Sequence, residues 1–112
     1  MNFNALLKEL KKLEFREKRF DSPDYLELVF TVSQLPELSP LLEGHFGRPF
    51  KAAGEKLRGG SWEFLEKYGG VRQDQTLYFV EEKGAVFYAM LWPWSDRANV
   101  TAKIAEYRRK PK

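Results

Sequence analysis

The chain has 112 residues, of which 31% are charged and 15% aromatic, and it contains no cysteine. This length suits one domain with one core, and the aromatic content is typical of a folded protein. The absence of cysteine excludes disulfides, thiolate nucleophiles and cysteine-based zinc sites. No run approaches the ~20 apolar residues of a membrane span, and charges interrupt the N-terminal segment where a signal peptide would be apolar. We therefore predict one globular domain over 1–112, located in the cytoplasm without membrane association.

The net charge of +3 is unevenly distributed along the chain. Residues 1–20 carry six basic and three acidic groups, and residues 103–112 carry five basic groups and one acidic group. Solvated surface charge is the simplest explanation of both clusters. We expect the basic tail, 108–112, to be disordered.

The first part of the chain predicts a helix followed by a strand. Apolar side chains at steps of three and four predict an amphipathic helix over 2–19, capped by Asn2 or Asn4. This stripe consists of Phe3, Leu6, Leu7, Leu10 and Leu13. The pattern breaks over 13–20, which could instead form a strand paired with the next one. A turn is predicted at 21–24 and a strand of β-branched and aromatic residues at 25–32.

The middle of the chain is rich in proline and glycine. We predict a short helix within 35–43, with Ser39 as its cap and Pro40 at its first position, because proline is tolerated in a first helical turn. Seven of the eight glycines lie between 44 and 70. Within that stretch, further helical turns are predicted at 50–57 and 62–68.

A β-hairpin over 76–94 is the clearest structural signal in the sequence. We predict strands at 76–81 and 85–92, joined by a three-residue loop of Glu82, Lys83 and Gly84. This register sorts the side chains into two rows. The predicted core row is Leu77, Phe79, Phe87, Ala89 and Leu91. The opposite row is Tyr78, Val80, Val86, Tyr88, Met90 and Trp92. A two-residue turn would instead scatter the tyrosines over both faces.

The last segment, 96–109, fits either a helix or a strand. Three alanines and Ser95 as a cap favour the helix. Alternation of Val100, Ala102 and Ile104 fits a further strand equally well. The predicted fold is therefore α+β: a three- or four-stranded antiparallel sheet, an N-terminal amphipathic helix, short helices within 36–68, and a C-terminal helix or fourth strand.

The row that carries the tyrosine hydroxyls predicts a partner-binding face. Its proposed members are Tyr78, Tyr88, Met90, Trp92 and Trp94, whose polar atoms need water or a partner. A helix of the same chain could cover this face instead, and we expect that arrangement. If it is open, the protein is a small interaction module that binds another protein or a second copy of itself.

A glycine-rich basic segment suggests an alternative function. Arg48, Lys51, Lys56 and Arg58 lie in the segment 47–60, among flexible backbone whose free N–H groups would attract a phosphate or nucleic acid, and the basic C-terminal tail would contribute to the same binding. Nucleic-acid sites are usually more densely basic than this, so we do not favour that partner.

The sequence contains no motif that indicates catalysis. His45 is the single histidine and has no carboxylates at ligand spacing, so we predict no metal site, no cofactor and no catalytic residues. An enzyme is therefore the least favoured function class.

Overall fold

The structure, a computed structural model, describes residues 1–54 and 74–108, which form a five-stranded antiparallel sheet with two helices on one face. The elements in chain order are α1 (Phe3–Lys12), β1 (Glu17–Ser22), β2 (Tyr25–Thr31), a 3-10 turn (Val32–Gln34), α2 (Leu35–Phe46), β3 (Thr76–Glu82), β4 (Ala85–Pro93) and β5 (Asn99–Arg108). The strand order is β1-β2-β5-β4-β3. The α+β class is confirmed, but the sheet has five strands rather than the predicted three or four.

Helix α1 is shorter than the sequence predicted. The side chain of Asn2 caps it by accepting a hydrogen bond from the backbone N–H of Ala5 at 3.0 Å. The helix ends at Leu13, whose backbone is extended. The alternative prediction for 13–20, a strand paired with the next one, is correct, because β1 begins at Glu17 and pairs with β2. The buried stripe of α1 is Phe3, Leu6, Leu7 and Leu10.

Helix α2 begins earlier than predicted, and Ser39 is not its cap. Pro36 lies in the first turn, whereas Pro40 lies inside the helix. An internal proline costs ~3 kcal/mol, whereas burying a large apolar side chain contributes ~1.5–3 kcal/mol. Leu38, Leu42 and Phe46 are all buried against the sheet, so their combined burial outweighs the cost of the proline.

The hairpin register differs from the predicted one by one residue. The connection is a two-residue turn of Lys83 and Gly84, with φ angles of 48° and 79°. Positive φ at both positions is typical of the type I′ turn, whose twist matches that of the flanking strands. Tyr78 therefore pairs with Ala89 and Phe79 with Tyr88.

The slip changes which side chains share a face. Phe87, Ala89 and Leu91 lie on the helix face of the sheet, as predicted, and Tyr78 and Val80 lie there with them. Leu77 and Phe79 lie on the opposite face, which we call the second face, together with Val86, Tyr88, Met90 and Trp92.

The segment predicted as a C-terminal helix or a further strand is strand β5, so the strand alternative is correct. It lies at the centre of the sheet and pairs with β2 on one side and β4 on the other. Ala102, Ile104 and Ala105 are buried. Pairing along both edges and burial on both faces outweigh the helix preference of the alanines.

Both described helices pack on the helix face. Contrary to the expectation from the sequence, α1 therefore does not cover the second face. Residues 50–54 contain no helix, and Lys51 instead forms an isolated β-bridge with Leu77. The helix predicted at 62–68 and the tail at 109–112 lie outside the described residues. Within 1–54 and 74–108, neither helix has the length and apolarity needed to cross a lipid bilayer.

Candidate functional site: a groove between two tryptophans

Strand pairing brings Trp92 and Trp94 to the end of the second face. Trp92 pairs with Thr101 of β5, and the backbone N–H of Trp94 donates to the carbonyl oxygen of Asn99 at 3.0 Å. Because alternate residues of a strand share a face, Lys103 lies on the same side as Thr101. Both tryptophan side chains are half-buried.

The Trp94 ring is held by a hydrogen bond and by a cation. Its indole N–H donates to the hydroxyl of Thr101 at 2.8 Å, and Thr101 is buried. The guanidinium carbon of Arg19 lies 5.2 Å from the centroid of the ring, within the range of a cation–π contact. Arg19 lies at the irregularity in β1, where the pairing shifts between Lys18 and Phe20. These contacts limit the rotation of the indole.

A second cation lies over Trp92. The ammonium nitrogen of Lys103 is 3.6 Å from the centroid of the Trp92 ring. Burial lowers the pKa of Lys103, attraction to Glu27 opposes this effect, and repulsion from Arg19 adds to it. The Lys103 ammonium is thus partly desolvated and close enough to Arg19 for the two charges to interact.

Glu27 contributes a carboxylate to this surface. The hydroxyl of Tyr25 donates to it at 2.5 Å, and Nη1 of Arg19 lies 4.0 Å from its other oxygen. The ring of Phe20 packs on Tyr25 with 5.5 Å between centroids and is 53% exposed. The apolar second face therefore ends in a mixed aromatic and charged border.

These side chains line an open groove of about 570 Å³, which we call the tryptophan groove. Its lining consists of Arg19, Glu27, Trp92, Pro93, Trp94, Ser95, Thr101 and Lys103. Two cations and one carboxylate give the described lining residues a formal excess of one positive charge.

The loop from β4 to β5 is fixed at the groove by Asp96. Its carboxylate accepts hydrogen bonds from the backbone N–H of Ala98 at 2.8 Å and of Asn99 at 3.1 Å. The side-chain amide of Asn99 donates to it at 2.7 Å. The bond from Ala98, followed by the amide of Asn99, lowers the pKa of Asp96. The loop therefore holds Trp94 at the edge of the groove.

The structure separates the five predicted partner-binding residues. Trp92 and Trp94 lie together in the groove. Tyr88 and Met90 lie on the same face but are fully buried, so they support the groove from below. Tyr78 lies on the opposite, helix face, 6.0 Å from Phe46 between ring centroids. The prediction of one shared face for Tyr78 and Tyr88 is wrong, because it depended on the three-residue hairpin loop.

Burial raises the pKa of Tyr78. The negative charge of Glu43 adds to this effect, and a hydrogen bond with Ser39 opposes it. Tyr78 thus belongs to the contact between α2 and β3.

Two of the four residues predicted to bind anions are described. Arg48 is exposed after the end of α2. Lys51 is 2% exposed, and its ammonium donates to the carbonyl oxygens of Gln75 and, at 3.2 Å, of Ala52. The segment therefore directs one cation outward and the other inward. Lys56 and Arg58 lie outside the described residues.

His45 joins the two helices. Its Nε2 lies 2.5 Å from a carboxylate oxygen of Glu9, beside a cleft of about 490 Å³ between α1 and α2. In the described part of the chain, no group of three or more His, Asp or Glu side chains is placed to hold a metal ion.

Comparison of the chain with known protein families, curated proteins and solved structures finds no match. The proposals below therefore depend on the geometry of the tryptophan groove.

The groove contains three charged residues that the sequence prediction did not include. If 96–109 is a strand, alternation with Val100, Ala102 and Ile104 places Lys103 on the face opposite the core. The strand alternative for this segment therefore indicates the position of Lys103. Arg19 reaches the groove from an irregular edge strand, and Glu27 faces it from β2. Alternation with Leu26 and Leu28 in the predicted strand also places Glu27 opposite the core, whereas no local spacing indicates the position of Arg19.

Proposed function

We propose that the protein is a non-catalytic interaction module that binds a protein partner through the tryptophan groove. The main support is the pair of half-buried tryptophans, each with a cation over its ring, in an open groove. Tryptophan, tyrosine and arginine are the residues that most often dominate the binding energy of protein interfaces. Of the five residues in the predicted binding face, the proposal retains Trp92 and Trp94.

The rigidity of the groove favours affinity. Binding costs ~0.5–1.5 kcal/mol for each flexible side chain that becomes ordered. The Trp94 indole is already held by Thr101, and Trp92 rests on the apolar cluster that contains Tyr88 and Met90. A partner would therefore meet aromatic surfaces that need little ordering.

The mixed charge of the lining favours a protein over a nucleic acid. Nucleic-acid affinity depends on neutralising successive phosphates with several cations. Glu27 would repel each phosphate that approached Arg19, whereas a peptide offers donors as well as acceptors. Binding of phosphate or nucleic acid by the 47–60 segment and the basic C-terminal tail is the alternative, and among the described residues of that segment the exposure of Arg48 supports it.

Selection of random peptides displayed on phage tests this function. We expect the wild-type protein to enrich related sequences and the Trp94→Ala variant to lose them. Tyr107→Ala is a matched control, because Tyr107 is a half-buried aromatic residue of the second face that lies beside Val86, six residues along β5 from Thr101.

The outcome requires that each variant is folded, which circular dichroism and thermal unfolding check. Enrichment by wild type and Tyr107→Ala, but not by Trp94→Ala, supports the proposal. Equal enrichment by all three proteins, or none by any, contradicts it. Light scattering of the same samples detects self-association, which would identify the partner as a second copy if Trp94→Ala abolished it.

A further inference from the structure

We propose that the segment bound in the tryptophan groove belongs to another protein and presents an aspartate or glutamate carboxylate to Arg19 and Lys103. This inference rests on the proposed function and specifies the chemistry of the partner. Its basis is the arrangement of charge around the two indole rings.

Arg19 keeps hydrogen-bonding capacity on the side of the groove. Its Nε–H donates to Glu17 at 2.8 Å, while Nη1 lies 4.0 Å from Glu27, beyond hydrogen-bond distance. A guanidinium has five N–H donors in a planar fork that matches a carboxylate. An incoming carboxylate could therefore use the Nη groups without displacing Glu17.

Lys103 supplies the second positive charge. Its ammonium lies over Trp92, and burial lowers its pKa; attraction to Glu27 opposes this effect, and the smaller repulsion from Arg19 adds to it. A carboxylate near both cations would reduce this repulsion and stabilise the charged ammonium. Charge complementarity of this kind contributes to specificity and to the association rate.

Glu27 limits how much negative charge the groove can accept. Among the lining residues that the structure describes it is the one carboxylate, and it leaves them a formal excess of one positive charge. One carboxylate matches that excess, whereas a phosphate with nearly two negative charges meets stronger repulsion from Glu27. The indole rings on either side offer apolar surface to the neighbouring residues of the same segment.

The same peptide selection tests this inference through the sequences that it enriches. We expect wild type to enrich peptides with one conserved acidic position beside apolar residues. Arg19→Glu reverses an exposed charge of the groove and should shift the enriched position from acidic to basic. Lys8→Glu makes the same change at an exposed site on α1, outside the groove, and should leave the acidic preference intact.

Affinity of one selected peptide provides a second measurement. Charge-assisted hydrogen bonds contribute ~1.5–3 kcal/mol, so Lys103→Met should weaken binding at least about tenfold. Lys8→Met, on the exposed side of α1, should leave binding unchanged. In wild type, the NMR-detected pKa of Lys103 should rise when the peptide binds.

Two results would overturn the inference while leaving the proposed function intact. One is enrichment that depends on Trp94 but shows no acidic position or survives Arg19→Glu unchanged. The other is self-association through the groove, which would make a second copy the occupant. Loss of all enrichment in wild type would overturn the proposed function together with this inference.

Discussion

The hydrogen bond between Trp94 and Thr101 should contribute measurably to stability, and a double-mutant cycle isolates it. The bond is 2.8 Å long, and Thr101 is 4% exposed. Thr101→Val removes the acceptor while keeping the side-chain shape, and Trp94→Phe removes the donor while keeping an aromatic ring. The double variant removes both partners together.

The expected coupling energy follows from the burial of the acceptor. A hydrogen bond contributes about 0.5–1.5 kcal/mol net, and leaving a buried partner unsatisfied costs ~1–3 kcal/mol. Trp94→Phe leaves the buried Thr101 hydroxyl without its donor and also removes apolar surface. It should therefore be the more destabilising of the two single changes. We expect a coupling energy of ~1 kcal/mol, because the surface loss and the altered contact with Arg19 cancel in the cycle.

Urea unfolding of the four proteins measures the coupling, provided that the dependence on urea is the same for all of them. A coupling energy below ~0.3 kcal/mol would fall within the additivity of independent sites and refute the reasoning. In that case Trp94 would not be fixed by Thr101, and the argument from a preorganised groove would fail with it.

Three further predictions concern the hairpin, α2 and the loop at the groove. Both turn positions have positive φ, so Lys83→Asn should stabilise the two-residue turn and Gly84→Ala should destabilise it by ~1–2 kcal/mol. Urea unfolding that shows a less stable Lys83→Asn variant and a more stable Gly84→Ala variant would contradict the register. Because the pKa of Tyr78 is raised in the folded state, stability should fall as pH rises above about 10, and Tyr78→Phe should reduce that fall. The lowered pKa of Asp96 contributes stability above the unfolded pKa of about 4 that is lost on acidification, so Asp96→Asn should lose less stability than wild type in acid unfolding.

Much of the fold could be predicted from periodicity and local chemistry. The apolar stripe of α1, the cap at Asn2 and the strand at 25–32 each depend on short-range patterns, and the structure confirms them. The two strands of the 76–94 hairpin were also predicted correctly as elements. These features need no knowledge of distant contacts.

Register and strand pairing could not be predicted in the same way. Grouping of the tyrosines on one face favours a three-residue loop, but the twist of the hairpin favours a two-residue turn in which Lys83 has a positive φ. The sequence of β5 fits the periodicity of a helix and that of a strand. Only its central position between β2 and β4 favours the strand. Tertiary pairing outweighed local preference there.

The candidate site could be predicted only in part for the same reason. Trp92 and Trp94 stand out in the sequence, and strand alternation relates Lys103 to them once β5 is known. Arg19 comes from the edge strand β1, which β2 and β5 separate from β4, so its approach to Trp94 depends on the assembled sheet.

The central claim, that the tryptophan groove binds a partner segment, is tested most directly by NMR titration of the indole N–H signals with a selected peptide. We predict that the signals of Trp92 and Trp94 shift in a saturable manner together with the backbone signal of Lys103. The signals of α1 and α2 should stay unchanged. Saturable shifts confined to α1 and α2, with both indole signals unmoved, would contradict the account.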